Sequence, residues 1–151
     1  MTETEKFVAM CKFAGERLDL IQGSGGNASV KMSDGSMLIK ASGGSLSEVE
    51  EPGGYVRVEN RKVLSILHDR EISRLRDKGK RNARAVILAA RAVTEGNGRP
   101  SIEVFLHALL DRYTLHVHPI AVNAIACRKN WKKELRALFG ETALLVGYRT
   151  P

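Results

Sequence analysis

The sequence is poor in the residues that typify secreted, membrane-embedded or base-stacking proteins. Its 151 residues include two cysteines and one tryptophan, and aromatic residues make up 5%. No run approaches the roughly 18 apolar residues that a membrane-spanning helix needs. The N-terminus lacks a basic segment followed by a long apolar run, so it does not resemble a secretory signal. These absences predict a soluble cytoplasmic protein with no membrane partner.

The two cysteines, Cys11 and Cys127, lie far apart on segments that are predicted to be different helices. Neither belongs to a Cys-x-x-Cys motif. A disulfide and two buried thiols are both compatible with the sequence, and a reducing compartment favours the thiols.

Acidic residues are also fewer than basic ones: the sequence has 17 aspartates and glutamates and 24 lysines and arginines, which gives a net charge of +7. Much of the excess lies in residues 61–91. Such a segment could bind nucleic acid, but it also carries Asp69, Glu71 and Asp77 and has no aromatic residue for stacking on bases. A solvated helix face is the favoured interpretation, and a general attraction for phosphorylated substrates is a third. We expect no nucleic-acid partner.

The length suits one domain, and the chain mixes helical and strand patterns. Thr2 and Glu5 have capping-box spacing and open a helix that is predicted to end near Gln22. Asp34-Gly35 predicts a two-residue hairpin turn. The remaining expected elements are a hairpin of 55–58 with 62–64, a helix over 71–93 broken near Gly79, a helix from Pro100 or Ser101, a strand over 113–117, helices over 119–127 and 131–139, and a strand over 143–148.

The last of these elements is followed directly by the end of the sequence at Pro151. An apolar strand with nothing after it suggests that more chain once followed. Antiparallel hairpins among helices favour a layered α/β or α+β domain.

His116 and His118 form a His-x-His pair at the end of the strand predicted over 113–117. Side chains at positions i and i+2 of a strand share a face, with their Cα atoms roughly 7 Å apart. Two imidazoles at that spacing can converge on one ion, with Zn–N bonds of about 2.0–2.1 Å. A chance pair, with one ring buried and one solvated, is equally compatible with the sequence.

Glu103 lies near the start of a helix whose far end leads into the His-x-His strand. A helix followed by a strand of this length could return the carboxylate to the two rings. Catalytic zinc usually keeps an open position, so Glu103 could be a ligand or a general base. The ordinary alternative is an acidic residue that complements the helix macrodipole.

Two glycine-rich turns, at residues 24–27 and 42–45, flank predicted strands. Backbone N–H groups and hydroxyls in such turns can hold phosphate. Neither turn is a P-loop or a GxGxxG fingerprint, so no nucleotide is implied. Ordinary turns without a ligand remain the alternative.

The order of these motifs resembles that of the class II aldolase/adducin family, which includes fuculose- and rhamnulose-phosphate aldolases and ribulose-phosphate 4-epimerase. The motifs are Gly26-Asn27-Ala28-Ser29-Val30, Lys40-Ala41-Ser42-Gly43, Pro100-Ser101-Ile102-Glu103 with His107, and His116-Val117-His118-Pro119. The resemblance covers residues 1–151 as one domain. It implies a three-layer α/β/α sandwich with a mixed, mostly antiparallel central sheet, incomplete at the C-terminus.

The resemblance also implies roles for individual residues. His116 and His118 would be two of three histidine ligands of Zn²⁺ or another divalent metal. Glu103 would act as acid and base during C–C cleavage. The substrate phosphate would be held by Gly26, Asn27, Ser42, Gly43 and Ser101. Ile102 stands where the family often has a second hydroxyl residue, so either one phosphate contact is lost or the substrate differs.

Three functions follow from the resemblance: a zinc-dependent aldolase that cleaves a ketose phosphate, a sugar-phosphate epimerase, and a non-catalytic adducin-like module. The family's third histidine and its proton donor would lie beyond the last predicted strand, and neither His68 nor His107 matches that histidine. The sequence would then be a fragment, a shortened relative, or a chain whose third ligand comes from another subunit.

The family assembles its active site between subunits of a tetramer. We therefore expect a homo-oligomer, with contacts in the regions of Leu115, Ile120 and Leu138.

Overall fold

A computed structural model of the chain describes residues 1–148. Its sheet has five strands, and each of the four pairings is antiparallel, in the order β4-β3-β2-β1-β5. The strands are β1 (Asn27–Lys31), β2 (Ser36–Lys40), β3 (Tyr55–Glu59), β4 (Val93–Glu95) and β5 (Tyr113–His116). The helices are α1 (Glu3–Gly15), α2 (Asn60–Ile66), α3 (Arg70–Arg74), α4 (Lys78–Arg91), α5 (Val104–Leu109), α6 (Ile120–Ala126) and α7 (Trp131–Phe139), followed by a 3₁₀ turn at Gly140–Thr142.

Helices cover both faces of the sheet because apolar residues alternate along its central strands. In β2, Leu38 belongs to one core, whereas Met37 and Ile39 belong to the other. The first core is closed by Phe7, Cys11 and Ala14 of α1, and the second by residues of α2, α4 and α5. This arrangement confirms the predicted α/β fold with three layers.

The predicted start of α1 is confirmed, since Thr2 and Glu5 form a complete capping box. The helix ends at Gly15 rather than near Gln22. Residues 16–22 keep apolar spacing, but the chain turns there, which buries Ile21 in the first core and leaves Leu18 exposed. The burial of Ile21 therefore comes from this turn of the chain and not from a longer helix.

The hairpin at Asp34-Gly35 is confirmed, although its loop has three residues, 33–35, between Met32 and Ser36. Gly35 has a φ of +83°, in the left-handed region that glycine adopts without steric cost. The Oδ1 atom of Asp34 accepts hydrogen bonds from both the backbone N–H and the hydroxyl of Ser36.

Two predicted strands are wrong. The segment 62–64 belongs to α2, because β3 is already paired with β2 and β4 and a returning strand has no free edge. Val63 and Ile66, three residues apart, both point inward from α2. Residues 143–148 form no strand, and Leu144 is 91% exposed.

Smaller differences concern helix ends and cysteines. The break in the long helix falls at residues 75–77, where Asp77 caps α4, and not at Gly79. The helix expected from Pro100 or Ser101 begins at Val104. Both cysteines are free thiols as expected, but only Cys11 is buried and Cys127 is exposed. In residues 1–148, no helix combines the length and apolar character needed to cross a bilayer.

The end of α1 yields a stability prediction. A Cβ atom at Gly15 would lie 2.6 Å from the backbone carbon of Leu46 and closer still to the Ser47 nitrogen. Replacing glycine by alanine in a helix gains about 1 kcal/mol at most, whereas overpacking costs about 1–3 kcal/mol and backbone atoms cannot move aside easily. We expect Gly15→Ala to lower the free energy of unfolding by about 2 kcal/mol in urea titrations.

The matched control is Gly53→Ala, because a Cβ atom there meets nothing within 4 Å and the residue has no positive φ. Equal stabilities of the two variants would contradict the packing of α1 against residues 46–47.

Candidate active site

The motifs meet in a cleft of about 320 Å³ at one end of the sheet. Because neighbouring strands are antiparallel, the start of β1 lies beside the ends of β2 and β5. The cleft is lined by Ser24, Gly25, Gly26, Asn27, Lys40, Ser42, Gly43, Ser101, Ile102, Glu103 and His118. Loops that are far apart in the sequence thus line one cleft.

The two histidine rings converge at this cleft. The Nε2 atoms of His116 and His118 lie 3.1 Å apart. His116 closes β5 and is paired with Asn27, whereas His118 lies just beyond the strand and its backbone N–H donates to the carbonyl of Leu20. The backbone of both histidines is therefore held by hydrogen bonds to the segments that precede and begin β1.

Glu103 connects the histidine pair to the rest of the cleft. One carboxylate oxygen, Oε2, accepts hydrogen bonds from the side chains of Asn27 at 3.1 Å and Ser101 at 3.0 Å. The other, Oε1, lies 2.7 Å from Nδ1 of His116, although the angle is not that of a hydrogen bond. The carboxylate therefore touches the ring nitrogen on the side away from His118, where it can orient the ring.

Two glycines of the first turn lie against the histidine segment. A Cβ atom at Gly25 would lie 3.1 Å from Nδ1 of His118, so this residue leaves room for the ring. Gly26 has a φ of +74°, and a Cβ atom there would lie 2.8 Å from the carbonyl oxygen of His116. Gly26 thus allows the turn to approach the end of β5.

Lys40 enters the cleft from the second turn. Its residue surface is only 3% exposed, and its Nζ atom donates hydrogen bonds to the carbonyls of Gly44 at 2.7 Å and Ala41 at 3.3 Å. Burial lowers the pKa of Lys40, and the negative charge of Glu103 opposes that shift. The ammonium group therefore braces the loop 41–44 from within.

His107 lies beneath the cleft on α5 and is fully buried. Its Nδ1 atom is 2.8 Å from the hydroxyl of Ser29, and its Nε2 atom has no hydrogen-bond partner among residues 1–148. Burial lowers the pKa of His107 to about 4, against a smaller opposing effect of Glu103. The ring is therefore neutral at physiological pH.

The donor set fits a metal in part. Two nitrogen ligands of one tetrahedral zinc lie about 3.3 Å apart, given Zn–N bonds of about 2.0–2.1 Å. The 3.1 Å between the two Nε2 atoms is close to that separation. However, no group of three or more His, Cys, Asp or Glu side chains in residues 1–148 is arranged to hold an ion. The described residues thus offer two nitrogen atoms at a separation that suits one zinc ion, with no third donor group beside them.

The structure brings the residues singled out in the sequence together. Gly26, Asn27, Ser42, Gly43, Ser101, Glu103 and His118 line the cleft, and His116 contacts both Glu103 and His118. Sequence reasoning missed Lys40 as a site residue, although it stands next to one of the motifs. A lysine that ends an apolar strand immediately before a glycine turn was the available signal.

The fold and the cleft define the class of protein: an α/β domain in which paired histidines and a carboxylate meet glycine-rich turns at the strand ends. The sequence matches the family model for the class II aldolase and adducin N-terminal domain over residues 5–151. The chain belongs to this family. No curated protein matches it.

One solved structure is similar over most of the chain. It is the N-terminal class II aldolase domain of a conserved protein from Thermoplasma acidophilum, with a TM-score of 0.73 and 21% sequence identity. The match covers 92% of this chain and 65% of that one, so the present chain spans less than two thirds of that relative's length. At this identity the likeness shows the fold alone.

The buried His107 gives a pH prediction. Its pKa is about 4 in the folded protein and 6.5 when unperturbed. Between these values the unfolded chain binds more protons, so the free energy of unfolding falls as the pH drops from 6.5 to 4. A shift of this size corresponds to about 3 kcal/mol of stability.

We expect His107→Gln to lose much of this dependence in urea unfolding measured at several pH values. The exposed His68 offers a matched control, and His68→Gln should keep the wild-type slope. Parallel curves for wild type and His107→Gln would contradict a neutral buried ring.

Proposed function

We propose that this chain carries the catalytic cleft of a zinc-dependent class II aldolase that cleaves a ketose phosphate by retro-aldol chemistry. The observation that carries the proposal is the convergence of His116 and His118, 3.1 Å apart at Nε2, beside the carboxylate of Glu103. Membership of a family that includes class II aldolases is compatible with this proposal.

The proposed metal ligands from this chain are His116 and His118. The chemistry that a divalent metal supplies when bound is Lewis-acid stabilisation of the negative charge that retro-aldol cleavage leaves on the enediolate. The contact between Glu103 and Nδ1 of His116 would keep that ring's Nε2 directed at the neighbouring ring.

Proton movement requires an ionisable group in the cleft. Cleavage of the C–C bond needs a base that removes the substrate's hydroxyl proton and an acid that returns a proton to the enediolate carbon. Glu103 is the one carboxylate among the described residues that line the cleft. Asn27 and Ser101 hold its Oε2 atom, so the carboxylate is positioned before substrate arrives.

Metal content tests the ligand assignment. We expect the purified, dialysed protein to retain zinc by elemental analysis, and His116→Ala and His118→Ala to lose it. His68→Ala is the matched control, because this histidine is exposed and lies outside the cleft. Equal zinc content in the wild type and both cleft variants would contradict the assignment.

The role of Glu103 is tested by separating catalysis from metal binding. General acid–base groups contribute about 10²–10⁴-fold to rate, whereas a residue that orients a ligand changes metal affinity about 10–100-fold. With zinc at saturation, we expect Glu103→Gln to lower the rate of ketose-phosphate cleavage by at least about 10²-fold.

The comparison variant is Ser101→Ala, which removes one hydrogen bond to Glu103 and should reduce the rate less. A wild-type rate in zinc-saturated Glu103→Gln would show that the carboxylate only orients His116.

A non-catalytic adducin-like module is the second candidate. It is favoured by the lack of a three-ligand metal group in residues 1–148. Leu115, Ile120 and Leu138 expose apolar surface that would serve an oligomerisation role. A folded protein that binds zinc but cleaves no ketose phosphate, and that sediments as an oligomer, would support this candidate over the enzyme.

A further inference from the structure

Two side-chain hydrogen bonds join α5 and the residue before it to β1. Asn27 donates to Glu103 over 3.1 Å, and Nδ1 of His107 lies 2.8 Å from the hydroxyl of Ser29. Asn27 and Ser29 stand at positions i and i+2 of β1, so they share one face of the strand. Glu103 and His107 are one helical turn apart, since the backbone N–H of His107 donates to the carbonyl of Glu103. The two contacts are therefore parallel and adjacent.

The contact between His107 and Ser29 is the deeper of the two. His107 is 0% exposed and Ser29 is 1% exposed, so water does not compete for their hydrogen bond. The other ring nitrogen, Nε2, has no hydrogen-bond partner among residues 1–148. Within the described chain, the ring is therefore anchored to β1 through Nδ1 alone.

This anchor bears on the orientation of α5. The helix has six residues and buries Val104 and Ala108 in the second core. Hydrophobic packing is non-directional, whereas a hydrogen bond weakens steeply when its angle departs from linear. Apolar contacts therefore define the rotation of α5 about its own axis less sharply than the buried hydrogen bond does. Because Glu103 directly precedes α5, rotation of the helix moves its carboxylate.

We propose that His107 and Ser29 are positioning residues for Glu103. Their buried hydrogen bond sets the rotation of α5, and this rotation aims the carboxylate at Asn27 and His116. The inference rests on the proposed function, because Glu103 is the group that would move protons in the cleft. Burial lowers the pKa of His107 to about 4, so the ring is neutral at physiological pH and acts on Glu103 by position rather than by charge.

Asparagine and glutamine at position 107 separate this role from general packing. The asparagine side chain places a polar atom where Nδ1 of histidine lies, whereas glutamine places one nearer to Nε2. Both variants lose the ring and its ring current. We expect His107→Asn to keep the contact with Ser29 and His107→Gln to lose it. Ser29→Ala removes the same hydrogen bond from the side of β1 and leaves the sequence of α5 unchanged.

The side-chain amide resonance of Asn27 reports the position of Glu103 without metal or turnover. This amide donates to Oε2 of Glu103, so its ¹H and ¹⁵N shifts depend on that contact. In chelator-treated protein, with the resonance assigned by its loss in Asn27→Ala, we expect His107→Asn to lie closer to the wild type than His107→Gln. Equal positions in the two His107 variants would overturn the inference.

Thr114→Val is the matched control for Ser29→Ala. Thr114 is the partner of Ser29 in the pairing of β1 with β5, and it is also buried. Its hydroxyl donates to the carbonyl of Asp111 and not to α5. We expect the Asn27 resonance to move in Ser29→Ala and to stay near its wild-type position in Thr114→Val. Equal displacement in both variants would overturn the inference, and this comparison carries the test if His107→Gln does not fold.

Turnover with zinc at saturation provides a second measurement. A misplacement of about 1 Å can cost about 10²-fold in rate, so we expect Ser29→Ala and His107→Gln to lower kcat by about 10–100-fold and to change KM less. In a Glu103→Gln background, the same substitutions should add little further loss, because the group that they position no longer moves protons. Losses that multiply in full would overturn the inference, since the effect would then bypass Glu103.

Failure of this inference is distinguishable from failure of the proposed function. If ketose phosphates are cleaved but His107→Asn and His107→Gln agree in kcat and in the Asn27 resonance, only the inference fails. If the resonance responds as expected and no ketose phosphate is cleaved, the proposed aldolase activity fails and the positioning of the Glu103 carboxylate stands.

Discussion

The antiparallel pairing of β1 with β5 is the constraint on which the candidate site depends. Its register sets Asn27 opposite His116, and these strands are separated by more than eighty residues of sequence. This one pairing brings the first glycine turn, the histidine pair and the carboxylate of Glu103 to the same end of the sheet. A shift of one residue would turn His116 to the opposite face.

The close approach of backbone to backbone makes this pairing specific. Gly26 is held at positive φ against the carbonyl of His116, and Gly25 leaves space for the ring of His118. On the other side, Lys40 draws together the two ends of the loop 41–44. The site thus depends on two glycines whose neighbours leave little or no room for a side chain, and on the buried ammonium group of Lys40.

Local signals in the sequence were enough for part of the fold. The capping box at Thr2 and the turn at Asp34-Gly35 act over a few residues, and both are confirmed. The erroneous strand at 62–64 shows the limit, because apolar spacing over three residues suits a strand or a helix. Only the pairing of β3 on both edges decides between them. The candidate site was foreseen by family resemblance, whereas the environment of Lys40 depends on loop contacts that sequence spacing does not encode.

Within the described residues, β5 is the outermost strand, so the histidine-bearing segment has a sheet neighbour on one side only. Its position therefore depends on a single ladder of hydrogen bonds and on the turn at residues 19–20 that receives the backbone of His118 and Ile120. Disrupting that ladder or that turn would therefore displace both imidazole rings together, because both lie on this one segment.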